Sequence, residues 1–178
     1  MNRLQWRDEQ IVGATVAIGI FDGVHLGHQA ILARAKEVSN GRGVLALTFD
    51  PHPAQVFAPN KVPTMLLSLE RRVELLKSYG VDAVVICEFD REFAAKSPED
   101  FIAEVLLKRL QISGVVVGEN FTYGHRAAGR VDDLIAAGLK NNFVAEEVPL
   151  EEMDGAVVSS TRIRTAVVQG DVETAEKL

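Results

Sequence analysis

Two histidines three residues apart, His25 and His28, close the run Gly19-Ile20-Phe21-Asp22-Gly23-Val24-His25-Leu26-Gly27-His28. On the first turn of a helix that spacing turns both imidazoles the same way. Together they can donate hydrogen bonds to phosphate oxygens and take up charge as negative charge develops. Gly23 permits a backbone conformation closed to other residues, and Gly27 removes the side chain where an anion would come nearest. Other chemistry is possible for each part alone. Two histidines could be half of a metal site, but no cysteine and no nearby carboxylate completes a first shell. Asp22-Gly23 is a turn under any reading, and either ring could simply cap or pack. Glycines and histidines together favour phosphate handling.

Three further stretches carry candidate chemistry. Val158-Ser159-Ser160-Thr161-Arg162-Ile163-Arg164 places hydroxyls at a helix start with a guanidinium within a turn, a second anion site. Thr48-Phe49-Asp50-Pro51-His52-Pro53 surrounds one histidine with prolines, which stiffen the loop and fix the ring's direction. Val117-Gly118-Glu119-Asn120-Phe121-Thr122-Tyr123-Gly124-His125 is a glycine-framed loop whose two aromatics could also be ordinary core. No catalytic triad, paired-carboxylate site or zinc spacing is present. The glycine pattern matches neither the P-loop nor the dinucleotide fingerprint.

The elements that would position these residues alternate regularly. Apolar runs at Val16–Ile20, Val44–Phe49, Asp82–Ile86, Val115–Val117 and, more weakly, Asn142–Val148 read as strands. Between them lie helical patterns: from His25 through Val38, Leu66–Tyr79 capped by Ser68, one opened by Ser97-Pro98, and one from Val131 to Leu139. Ser159 or Ser160 caps a further helix through Val168, Gly170 ends it, and Asp171 starts another. The stretch from Pro51 to about Pro63 is too long for a plain connector. This alternation predicts an α/β, Rossmann-like, doubly wound five-stranded parallel sheet, in strand order 3-2-1-4-5, with helices on both faces. Ligands of such sheets lie beyond the carboxyl ends of the strands. His25 and His28 follow the first strand, His52 the second and His125 the fourth, so all four histidines fall on that edge. Arg126, Arg130, Arg162 and Arg164 join them. Glu88, Asp90 and Glu92 follow the third strand, which that order places away from the crevice.

The chain has 178 residues, a size suited to one domain with a substantial core, and a net charge of −6, which argues against a general nucleic-acid or anionic-membrane binder. Its single cysteine, Cys87, suits a reducing cytosol. Charges sit in the amino-terminal stretch where a leader needs an apolar core, and no apolar run is long enough to span a bilayer, so the expected location is cytoplasmic.

The run Gly19–His28 resembles the first signature of the nucleotidylyltransferase superfamily. Its F-D-G-V-H-L-G-H form is similar to the adenylyltransferase module of prokaryotic FAD synthetases, bifunctional enzymes that also carry a riboflavin kinase domain. Ser159-Ser160-Thr161-Arg162-Ile163-Arg164 resembles the superfamily's second signature. The prolines around His52 and the Asn120 loop resemble two stretches found in FAD synthetases. The resemblance covers essentially the whole chain, and what it implies is transfer of AMP from ATP to FMN, giving FAD and pyrophosphate, with Mg²⁺ accompanying ATP. It implies His25, His28, Asn120 and Arg164 as catalytic groups. On ATP it implies Gly19, Phe21, Asp22, Gly23, His25, Gly27, His28, Ser160, Thr161 and Arg164, with Arg162 peripheral. On the flavin it implies Asp50, Pro51, His52, Pro53, Asn120, Phe121 and Tyr123, and no protein metal ligands. The chain stops at Glu176-Lys177-Leu178 inside a helical pattern. Residues 1–178 are therefore expected to be one domain, an excised N-terminal module or else a natural single-domain form, without the riboflavin kinase domain and without kinase activity. Two alternatives stay open: a related nucleotidylyltransferase with another phosphate acceptor, and a non-catalytic flavin- or nucleotide-binding module.

Overall fold

The computed structural model describes residues 3–5 and 12–178. Six strands form one parallel sheet: β1 (Arg3–Gln5), β2 (Thr15–Ile18), β3 (Val44–Phe49), β4 (Ala83–Cys87), β5 (Gly114–Gly118) and β6 (Val144–Val148), in the order β1-β4-β3-β2-β5-β6. The five expected strands lie in the expected order. The sixth, β1, extends the sheet beyond β4 and corrects the count. Its three residues are too few to show an alternation. Met1, Asn2 and positions 6–11, which carry part of the argument against a leader, lie outside the described residues.

Every residue of β2, β3 and β4 is buried, as central strands covered on both faces require. The pleat splits their side chains between two cores. Val16, Ile18, Leu45, Leu47 and Val85 meet Val105 and Leu106 of the helix Phe101–Arg109 and Leu134 of α6 (Val131–Asn141) on one face. Ala17, Ala46 and Val84 meet Ile31 and Leu32 of α1 (Leu26–Ser39) and Val73 and Leu76 of a helix over Leu69–Ser78 on the other. The weaker signal of β6 has a cause: it is the opposite edge, where only Val148 is fully buried and the strand carries Glu146, paired with Arg34 of α1, and the exposed Glu147.

Local chemistry sets the helix starts. Ser68, Ser97 and Ser159 each accept a hydrogen bond from the backbone N–H three residues on. Helix α5, begun at Pro98, widens over Phe101–Arg109, and the Leu110 N–H reaches the Val105 carbonyl, five residues back, at 3.0 Å. Between the strand ends, α2 (Ala54–Phe57) and a 3₁₀ turn at Pro59–Lys61 structure the long connector, while α3 is the helix Leu69–Ser78 and α4 (Arg91–Ala94) follows β4. A hairpin, β7 (Glu152–Met153) with β8 (Ala156–Val157), precedes α7 (Ser160–Gln169) and α8 (Val172–Lys177). Sequence patterning gave no sign of that hairpin, whose strands are two residues each.

Candidate active site

Beyond the carboxyl ends of β2 and β5 lie two adjoining cavities. The first, about 350 Å³, is the more polar of the two, and its lining includes Gly19, His25, Gly27, His28, His52, Asn120, Ser160, Thr161 and Arg164. Two helix starts, those of α1 and α7, face it with their positive dipole ends, although the Leu26, His28 and Arg162 N–H groups there are taken by the Leu178 carbonyl, His25 Nδ1 and Ser159 Oγ.

The turn after β2 sets the histidines. Phe21 and Val24 adopt the left-handed region (φ 54° and 45°) and Gly23 reaches φ 89°, so the chain reverses within four residues before α1 begins. His25 is the N-cap of α1, and its Nδ1 accepts the His28 N–H at 3.4 Å. The two rings stack with centroids 3.6 Å apart, and Phe21, fully buried, meets the His28 ring edge-on. Burial pushes His25 down to about 4, with Asp22 working weakly the other way. Burial, reinforced by neighbouring His25, pushes His28 well below its ordinary value. Both rings are therefore neutral at pH 7, each able to donate one N–H and to accept a proton.

Asp22 ties three segments together. Its carboxylate, 1% exposed as a residue, accepts the Leu66 N–H (3.0 and 3.1 Å) and the Leu67 N–H (3.1 Å), and it pairs with Arg164 Nη2 at 2.5 Å. Its carbonyl accepts the Ser160 hydroxyl at 2.7 Å. Arg164 Nε also donates to the Thr64 carbonyl at 2.7 Å. The turn after β2, the loop before α3 and the start of α7 are thus locked in one register. Asp22 reaches the cavity wall as an anchor for Arg164.

The second cavity, about 460 Å³, is aromatic. Six of the chain's eight phenylalanines line it: Phe49, Phe57, Phe89, Phe93, Phe101 and Phe121, joined by Tyr123 and Pro53. The rings touch edge to face around the wall: Phe49 and Phe57 both meet Phe89, and Phe93 meets Phe101. Phe121 and Tyr123 stack at 14°. Burial raises the Tyr123 phenol to about 12. Gly19, Ile20, Asn120 and Phe121 line both cavities and form the seam between them.

The polar cavity gathers Gly19, Asp22, His25, Gly27, His28, Ser160, Thr161 and Arg164, while Phe21 and Gly23 are not among its lining residues. Phe21 lies beneath as a support for His28. A Cβ on Gly23 would stand 3.0 Å from Leu66 Cδ1, so its place is the packing under the turn. Of the residues expected around the flavin, Pro53, Asn120, Phe121 and Tyr123 line the aromatic cavity, and His52 lines the polar one. Asp50 and Pro51, joined by a cis bond, line neither. Arg162 braces the hairpin, donating to the carbonyls of Met153 and Ala156 at 2.7 and 2.9 Å. His125 lies outside both cavities, its Nδ1 3.3 Å from the Ala94 carbonyl. Sequence reasoning missed Phe49, Phe57, Phe89, Phe93 and Phe101. Their only signal was a set of phenylalanines following strand ends, which reads equally well as core. It also missed Arg72, whose pattern is that of any charged helix residue.

Four buried side-chain polar atoms among the described residues have no partner, and three belong to this region: His28 Nδ1, Arg72 Nε and Tyr123 OH. Orphans concentrated at one place mark a site built for a partner from outside. Among the described residues no cluster of His, Cys, Asp or Glu could hold a metal ion, and no helix is long and apolar enough to cross a membrane.

Residues 7–162 match the model of the FAD synthetase family. The bifunctional riboflavin kinase/FMN adenylyltransferase of Listeria monocytogenes is 34% identical over 98% of this chain, which spans 55% of that protein. The Escherichia coli K12 protein of the same name is 35% identical over 93% of this chain, which spans 54% of it. Among solved structures, a Streptococcus pneumoniae protein titled macrolide-efflux protein superposes with a TM-score of 0.83 at 26% identity, over 99% of this chain and 60% of its own. A pantoate-beta-alanine ligase from Francisella tularensis shares the fold, with a TM-score of 0.58 at 18% identity, over 93% of this chain and 69% of its own.

Proposed function

The chain belongs to the FAD synthetase family, and on that premise we propose that it transfers AMP from ATP to FMN, releasing pyrophosphate. The observation that carries this reading is the pair of adjoining cavities. One suits a triphosphate, the other a flat aromatic ring system, and they meet at Asn120.

In the proposed reaction a phosphate oxygen of FMN forms a bond to the α-phosphorus of ATP, and the bond from that phosphorus to the α,β-bridging oxygen breaks. Such chemistry asks for placement and charge stabilisation rather than a protein nucleophile. His25 and His28 would donate to the bridging region as pyrophosphate leaves. Their neutral state leaves each ring free to take up charge there. Ser160, Thr161 and Arg164 would hold the β and γ phosphates at the start of α7. Asn120, at the seam, would sit beside the transferring group, and the phenylalanines would enclose the flavin ring. His52, on the wall of the polar cavity, would lie near the acceptor phosphate. ATP would enter as its Mg²⁺ complex, the ion held by phosphates and water. Asp22 is already committed to Arg164 and two backbone N–H groups.

Purified chain supplied with ATP should release pyrophosphate only when FMN is added, with FAD appearing in equal amount. Pyrophosphate release that is indifferent to FMN would overturn the reading. A related nucleotidylyltransferase with a smaller acceptor would leave six phenylalanine rings around a cavity without a use.

A further inference from the structure

Among the described residues Arg72 is the largest fully buried side chain, 2% exposed, and it points up from α3 under the site. Its Nη1 donates to the Ile20 carbonyl at 2.8 Å and its Nη2 to the Phe49 carbonyl at 3.4 Å, while Nε has no partner. Among the described residues no carboxylate pairs with it at ion-pair distance. Burial works against its charge, with Asp50 and Asp22 offsetting part of that effect. A buried guanidinium left so weakly compensated is costly, and a leucine or methionine would serve a plain core position better. Its place explains its retention. Ile20 lines both cavities and Phe49 lines the aromatic one, so Arg72 grips the ends of β2 and β3 directly below the seam. The Ile20 carbonyl is further held by the Thr48 hydroxyl at 3.0 Å, which fixes that corner from a second side.

We propose that Arg72 is a positioning residue for the acceptor: from below the seam it fixes the Ile20 and Phe49 carbonyls and supplies buried positive charge that favours a phosphate carried by the flavin. The proposal rests on the function given above. It also has an independent mark in the ligand-free protein, because His52 on the cavity wall feels the charge. Burial is the main cause that lowers the His52 imidazole, Arg164 adds to it, Asp22 opposes it, and Arg72 lowers it further. A neutral donor to the same two carbonyls would leave that titration alone.

The test compares Arg72→Gln with Arg72→Lys, reading the FMN dissociation constant by flavin fluorescence, that of ATP by titration calorimetry, and the His52 titration by NMR. Arg72→Gln is expected to weaken FMN binding about 10-fold or more, through loss of the buried charge beneath the acceptor, with ATP binding changed less than about 3-fold. The His52 midpoint should move up. Arg72→Lys, which keeps the charge, should hold the His52 midpoint low and FMN binding within about 3-fold of wild type. Folded Arg72→Gln protein with unchanged FMN binding would overturn the proposal, whether or not the His52 midpoint moves. Should Arg72→Gln fail to fold, Arg72→Lys decides alone, and equal weakening of FMN and ATP in it would overturn the proposal. A wild-type chain that binds no FMN would refute the function instead, while the His52 titration would still report on the buried charge.

Discussion

The polar cavity takes its principal side chains from a few short runs, above all Gly19–His28 and Ser159–Arg164, while the aromatic cavity next to it draws six phenylalanines from five separate segments. The difference follows from what each must do. Holding a charged group takes N–H donors and imidazoles at fixed angles, and one turn with one helix start sets those angles locally. Enclosing a flat ring takes apolar surface from several directions, and rings that converge after folding supply it. A mutation in the first should therefore strike rate or nucleotide handling, and one in the second should strike flavin affinity.

The largest effect expected on the polar side is from His28→Ala. Turnover should fall about 10²–10³-fold with ATP and FMN affinities changed only a few-fold, as steady-state and binding measurements would show. A proportionate loss of FMN affinity would erase the division between the cavities. Next in size is Asp22→Ala. It strands Arg164 and two buried N–H groups, so it should cost about 3 kcal/mol of stability in denaturant unfolding and raise the ATP KM roughly tenfold. The FMN KM should stay near wild type.

On the aromatic side the expected changes are smaller. Phe57 is 56% exposed at the cavity rim and touches Phe89, so Phe57→Ala should weaken FMN binding about 3- to 10-fold and leave ATP alone. The smallest effect distinguishes the cavities by pH. The folded protein holds His25 at about 4 against an ordinary 6.5, so over that window the unfolded chain binds a proton that the folded chain does not. This contribution to stability is complete above about 6.5 and is lost as pH falls toward 4. The thermal midpoint should drop across that range, and His25→Gln should flatten the drop. Phe57→Ala should leave its slope unchanged.

The same contrast explains what could be read in advance. The five strands β2 to β6 and their order were legible because buried parallel strands and amphipathic helices write long patterns, as Val44–Phe49 and the Ile31, Leu32, Ala35 face of α1 do. The histidine and serine runs were legible because their geometry is local. Strand β1 and the Glu152–Val157 hairpin were not, since two or three residues hold no period. Phe89 and Phe93 look like any phenylalanines of a core until β4 and α4 bring them over the sheet edge. Arg72 was hidden for a sharper reason. In Leu69-Glu70-Arg71-Arg72-Val73 nothing tells which arginine turns inward, and only the packed helix shows Arg71 outside with Glu74 and Arg72 beneath the seam.

The division of labour is tested most directly by a crystal structure of the chain with a non-hydrolysable ATP analogue and FMN. The account predicts the β and γ phosphates beside Ser160, Thr161 and Arg164, the α-phosphate against His25 and His28, and the flavin ring among Phe49, Phe57, Phe89 and Phe121. Adenine lying among those phenylalanines, or the flavin ring resting on the histidine pair, would contradict it.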